Sequence, residues 1–486
     1  MEYMDKKEIV QKMIDGCCER NETVKHAVNF FNGMSLEAFL ALQRFKLHVN
    51  LKLEPIQERS DFIDICTDYV TSRMDKETAA KVRLSVETGA LHTADHLGGL
   101  YTPQSFQGDL LFGEMMSSEC IPCFAAGSVT LHSSTYGRGI MYSGEPESMG
   151  RLPVFPGKYA KWAASLVHPF NEAAVLRTRK AAGSIRDEAI KNTIIEMLND
   201  IYLDDGVLSQ KSFADQEIKI GAEIYKRMGS YCSARPMIHI ETEEISGRLF
   251  LKDMNDDSSL VYRMLSDKAV INEMRQMHNG MALGELLFRG NDKNGHMFPL
   301  ALTEDGYLRG TTIRNEEISF KVSPESLSKA VSEKRIFVSG YLRALMLAFA
   351  RGFTWYGGIF QSVYLSRWQQ ATATVLSVCG YEDLSRRMSR LDASGYISGP
   401  VFVLYDNGTG AAPAGPVEFM LTKPDKTVIQ KLLRNTTVSH AHIMGMPEFY
   451  YDLFSADERI GDWYEKLTAY SKANFMDNII MPDPVA

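Results

Sequence analysis

Several features that would decide a function class are scarce in this sequence. Cysteine is one: a chain of 486 residues holds seven, an odd number. They are Cys17, Cys18, Cys66, Cys120, Cys123, Cys232 and Cys379, too scattered for a disulfide framework. Basic residues show no excess: 53 Lys+Arg against 61 Asp+Glu give a formal charge of −8, so the phosphate-neutralising surface of a nucleic-acid binder is missing and no nucleic-acid partner is expected. No apolar run reaches the ~18 residues of a membrane span. The most apolar stretch, Tyr341 to Phe349, stops well short, and no membrane partner is expected. The opening MEYMDKKEIVQKMIDGCCER has no apolar core followed by a small-residue cleavage site, which makes the cytoplasm the expected location. Internal repeats and low-complexity tracts are absent.

What is present is a composition 45% hydrophobic, enough for a large core, in a chain long enough for two or three lobes. Residues 1–80 have apolar positions at spacings of three and four (VKHAVNFFNGMSLEAFLALQRFKLHVNL, DFIDICTDYVTSRM) and read as an N-terminal helical subdomain. From Val82 the texture changes: a short apolar stretch enters the glycine-broken loop TGALHTADHLGG, then a helical segment (SFQGDLLFGEMMSS), then IPCFAAGSVTL. That is the order of a βαβ unit, whose ligands sit at the carboxyl ends of its parallel strands. The α/β core therefore begins in 81–282, with a helical insertion from Asn171 to Met228 and a further strand candidate at RPMIHIE. The stretch from Ser134 to Pro156 reads as loops and short strands that could wrap over the site. Residues 283–325 alternate apolar and polar positions around the turns NDKNG and EDG, the pattern of a small antiparallel sheet. Residues 326–486 carry the rest of the core: a helix capped by Ser323, a pair of apolar helices broken at Gly357-Gly358, a strand candidate in GPVFVLYDNGTG and a helical tail.

The densest chemistry lies between Thr88 and Arg138. His92, Asp95 and His96 fall within five residues, followed by Gly98 and Gly99, which let backbone amides approach a ligand closely. A metal site is one reading of two imidazoles four residues apart with a carboxylate between them. The glycines imply a loop rather than a helix, however, and Asp95 directly precedes His96 where a metallo-β-lactamase pattern needs the reverse order with one residue between. A substrate or nucleotide loop at the end of the first strand fits better, and no metal is assigned. His132, Ser133, Ser134 and Arg138 follow the second strand and should face that loop. Cys120 and Cys123, a lone C-x-x-C at the entry of a buried strand, read as core cysteines. His440 and His442 form an H-x-H that could place two ligands on one side of a strand. Arg343 and Arg351, on apolar elements, need anionic partners from the protein or a ligand.

These segments together resemble the bacillithiol-biosynthesis cysteine-adding enzymes. TADHLGGLYTPQSFQGDLLFGE followed by IPCFAAGS is similar to that family's TGQQ-like loop, glycine pair, PLY, helix and PVFW strand. VSGYLRALMLAF and WYGGIFQSVYLSRWQ are similar to its SPN-x-LLRP helix and YVGG-x-x-E-x-AYW, and NGHMFPLALTEDGYL resembles the sheet before them. The resemblance spans roughly Thr88 to Gln370. It implies a Rossmann-like core with connecting elements, condensation of cysteine with an amino-sugar conjugate, and a homodimer. Independently of it, Arg343, Gly357, Gly358, Gln361 and Tyr364 make a dense group on the apolar pair of helices and, with Gly98, Gly99, Gln104, Ser133, Ser134 and Arg138, form the expected substrate-binding set. The sequence departs from the family where EDHD is replaced by Gly127-Ser-Val-Thr-Leu-His132-Ser-Ser, where Gln361 stands for Glu, and in a tail without sustained heptads. GALH with the following His96 is also similar to the HxGH loop of nucleotidyltransferases, with one residue more.

The expectation is thus an α/β biosynthetic enzyme that joins or transfers a small polar metabolite (an amino acid, a thiol or a sugar derivative). His92, Asp95, His96 and His132 would be its proton-handling residues. The cofactor is left open, a nucleotide being the class these resemblances admit. A nucleotidyltransferase-like enzyme and a non-catalytic ligand-binding or assembly protein on the same fold are the alternatives.

Overall fold

A computed structural model describes residues 6–97, 102–131, 139–145, 148–155, 157–232 and 234–481. Its centre is a five-stranded sheet formed by β1 (Ala90–His92), β2 (Ile121–Ala125), β3 (Met237–Glu241), β4 (Thr354–Gly357) and β5 (Ser394–Tyr396). Every pairing within it is parallel, and the spatial order is β5-β4-β1-β2-β3. The strands are nearly all buried, which explains their continuous apolar runs: a parallel sheet covered on both faces needs no polar side.

Alternation along each strand sorts its residues into two cores. Ala90, Ile121, Cys123, Ala125, Met237 and Tyr356 join the core on one face. Leu91, Phe124, Ile238, Ile240 and Trp355 join the core on the other. The first face is covered by α1 (Pro103–Met116) and α2 (Phe213–Gly229), the helices leading into β2 and β3. The second is covered by α3 (Thr242–Met254) and α4 (Ile359–Val378). Caps fix where these helices begin: Thr102 Oγ1 accepts from the Ser105 amide and Ser212 Oγ from the Asp215 amide. The N-terminal helices divide between the layers, Lys6–Arg20, Glu22–Phe30 and Leu36–Asn50 packing into the first core and Ser60–Arg73 and Lys76–Glu87 into the second.

Between β3 and β4 lie short antiparallel ladders, Phe288–Asn291 with Met297–Pro299 and Tyr307–Thr311 with Glu317–Lys321. Two elements differ from the sequence reading. The apolar stretch after Ser339 is a short helix (Gly340–Ala344) and a π turn (Leu345–Ala350), and a strand, β4, separates it from α4. Gly352 at φ +67 ends the turn, and the aromatic TWY run, favoured in strands, then completes the sheet between β1 and β5. The His440/His442 pair lies on a helix, Val438–Met444, capped by Thr437, so its two rings do not share a side as strand neighbours would. His442 is buried, bonded to the Val438 carbonyl and the Tyr396 hydroxyl. Among the described residues no helix is long and apolar enough to cross a membrane.

Candidate functional site

The order β5-β4-β1-β2-β3 places the first strand beside the fourth, so the chain leaves the carboxyl ends of β1 and β4 towards opposite faces. A crevice opens between such connections, and ligands of open α/β sheets bind there. Here the two ends are tied together: the Thr93 amide donates to the Tyr356 carbonyl (2.9 Å) and Gln361 Nε2 donates to Thr93 Oγ1 (2.7 Å). Gly357 permits this closure, because a Cβ there would lie 2.4 Å from the Gln361 carboxamide carbon. Gly358 is the N-cap of the 20-residue α4 and offers no side-chain cap, so among the described residues the first-turn amides at the positive end of the helix dipole lack the usual side-chain acceptor.

A cavity of about 420 Å³ lies at this junction. Of the residues singled out from sequence, His96, Gln104, Arg343, Gly358, Gln361 and Tyr364 line it. They come from the loop after β1, the start of α1, the short helix before β4 and the start of α4. They are spread across more than 250 positions of sequence, and the parallel sheet brings them to one edge. Leu91 and Thr93 line it too.

Charge is concentrated on a few groups. Arg343 is 8% exposed and its Nη1 donates to Glu243 Oε1 (2.7 Å), while its Nε has no acceptor among the described residues. Glu243 Oε2 accepts the Gly127 amide (2.6 Å), so the carboxylate is held from two sides and fixes the guanidinium at the cavity wall. Arg289 and Asp452 also line the cavity, giving it groups of both signs. Burial pushes the His96 imidazole below its ordinary pKa; the Arg343 guanidinium adds to this, against the pull of Asp95. The ring is therefore neutral near pH 7 and able to accept a proton. Burial lifts the Tyr364 phenol to about 12, keeping it a hydrogen-bond donor.

No family model, curated protein or solved structure matches the chain.

His92 and Asp95 are not in the cavity wall. They were expected beside His96 on one loop, but His92 is the last residue of β1 and its side chain points to the opposite face from Leu91 and Thr93. There its Nε2 meets Asp109 Oδ1 of α1 at 2.9 Å, with both side chains buried. Asp95 is 1% exposed and lies beside Cys123 and His239. Cys123, read as a core cysteine, is buried and 3.4 Å from His92 Nδ1. Arg351 finds its anions within the protein, Asp61 and Asp253. Gly98, Gly99, His132, Ser133, Ser134 and Arg138 lie outside the described residues. Sequence reasoning passed over Thr93, Arg289, Glu243 and Asp452. For Glu243 a signal existed: IETEE places carboxylates directly after a buried strand, at the edge where the site forms.

Proposed function

We propose that the chain is a Rossmann-like enzyme that joins or transfers a small polar metabolite, akin to the bacillithiol cysteine-adding enzymes with altered chemistry. The observation that carries this reading is Arg343, buried at the wall of the β1/β4 cavity with one nitrogen held by Glu243 and another without an acceptor among the described residues. A guanidinium so placed suits a carboxylate or phosphate group, and the uncapped start of α4 suits the same charge. Asp452 would attract the ammonium of an amino acid, and neutral His96 would take the proton that a nucleophile loses on attack. Gln361 in place of an acid, bonded to Thr93, serves to shape the pocket. A homodimer remains part of this proposal.

A ligand-binding protein without chemistry is the second reading. It is favoured by Gly127, whose amide occupies Glu243 where the resembling family begins an acidic motif. A thermal-shift screen over L-cysteine, malate, gluconate, AMP and ATP tests both, since a ligand that binds only the folded state raises its melting temperature. Stabilisation by an amino acid or sugar acid, followed by turnover when two such ligands are combined, is expected for the enzyme. Stabilisation without turnover favours the second reading, and no stabilisation by any of them contradicts both.

A further inference from the structure

On the face of the sheet away from the cavity, strand register aligns three ligand-type residues. His92 of β1 pairs with Cys123 of β2, and Cys123 pairs with His239 of β3. The next turn of chain brings Asp95 under the same row. Asp95, Cys123 and His239 are 1%, 0% and 2% exposed, and one donor atom from each lies within 4.8 Å of the other two. We propose that Asp95, Cys123 and His239 bind a zinc-class divalent ion.

The His239–Asp95 distance is longer than a direct charge-assisted bond, while the two sulfur contacts are of ordinary hydrogen-bond length and fit an ion equally. Cys123 Sγ lies 3.4 Å from both His92 Nδ1 and Asp95 Oδ2, and His239 Nε2 lies 3.4 Å from the same Asp95 oxygen. A charge-assisted N–H···O bond closes to about 2.7–2.9 Å. Ligands around a tetrahedral zinc, with bonds of about 2.0–2.3 Å, sit ~3.3–3.7 Å from one another. Asp95 Oδ1 has no hydrogen-bond partner among the described residues although Asp95 is buried, a costly state for a carboxylate unless a cation shares its site. Beside this group His92 Nε2 faces Asp109 Oδ1 at 2.9 Å without the geometry of a hydrogen bond, and Asp109 Oδ2 accepts the Tyr225 hydroxyl.

Thiolate, imidazole and carboxylate together select zinc over magnesium or calcium. None of these side chains lines the cavity, so the ion would join the loop after β1 to β2 and β3 beneath the site rather than act on substrate. The cavity reading can fail without affecting this proposal, and the converse holds too.

The test is elemental analysis of tag-free, full-length protein grown with added zinc and purified without chelator. About one zinc per chain is expected, falling to background in Cys123→Ala and His239→Ala. Should those variants not fold, cobalt(II) added to chelator-stripped wild-type protein gives a thiolate-to-cobalt charge-transfer band if Cys123 is a ligand. Folded wild-type protein with neither stoichiometric zinc nor a thiolate band overturns the proposal, and the three groups, with His92 and Asp109, are then a dry network of two imidazole–carboxylate pairs.

Discussion

Replacing Arg343 with Gln separates its structural and ligand-binding roles. The change strands Glu243, whose side chain is 1% exposed, and breaking a buried pair from one side costs about 3–5 kcal/mol. Unfolding entropy near 2.1 cal/mol/K per residue amounts to ~1 kcal/mol/K for a chain of this length, so the melting temperature should fall by about 3–5 °C if the chain unfolds as a unit. Changing the partner as well, in Arg343→Gln/Glu243→Gln, removes the stranded charge while the carboxamide that replaces the carboxylate can still accept the Gly127 amide, and most of the stability should return. Ligand affinity should not. A charge-assisted hydrogen bond contributes about 1.5–3 kcal/mol, so both variants should bind the best ligand of the thermal screen ~10–150-fold more weakly by calorimetry. A double variant that regains wild-type affinity, or a single variant that never loses it, would refute the assignment of Arg343 to the ligand.

Arg351→Met should cost about 3–5 kcal/mol in urea unfolding without altering ligand affinity, because Arg351 is 0% exposed and bonds Asp61 and Asp253 at 2.6 Å each, away from the cavity. Glu217 has its carboxyl raised by burial from 4.5 to about 8. The folded form therefore keeps a proton that the unfolded form loses first, and its contribution to stability, full below about pH 4.5, is lost as pH rises to about 8. Glu217→Gln should flatten that slope and be the more stable protein at pH 8, by ~1.4 kcal/mol for every tenfold difference in proton affinity between the folded and unfolded carboxyl that the substitution abolishes, in melts run from pH 5 to 8.5. Gly127→Ala puts a Cβ 2.0 Å from Ser165 Oγ and 2.7 Å from Leu97 Cδ1. Overpacking of about 1–3 kcal/mol is expected, and because the Gly127 amide holds Glu243, ligand affinity should fall with it.

The elements most legible in the sequence were those whose pattern is local. IPCFA and MIHIE read as buried strands because both faces of a covered parallel sheet are apolar, and the helix between β1 and β2 followed from its spacing. β4 and β5 were not legible. TWYG sits between an apolar helix-like run and a glycine pair that together look like one broken helix, and Ser394–Tyr396 is short and begins with a polar residue. The site was half legible for a related reason. Glycines and ligand-type residues mark the ends of strands, but which way a side chain turns depends on register with a neighbour distant in sequence. His92 and His96 look equivalent on paper; strand alternation sends the first into the core and leaves the second at the cavity. The same register turned Cys123 from an isolated core thiol into a neighbour of two histidines and a carboxylate.

Hydrogen exchange on the full chain tests most directly whether the β1/β4 junction is where this protein holds its ligand. With the best ligand of the thermal screen present, protection should appear in Thr93–Leu97, Ser339–Arg343 and Gly358–Tyr364, the segments that meet at the cavity. Protection confined to the separate charged groove that includes Arg73, Asp204 and Lys219, with no change at the junction, would contradict that placement.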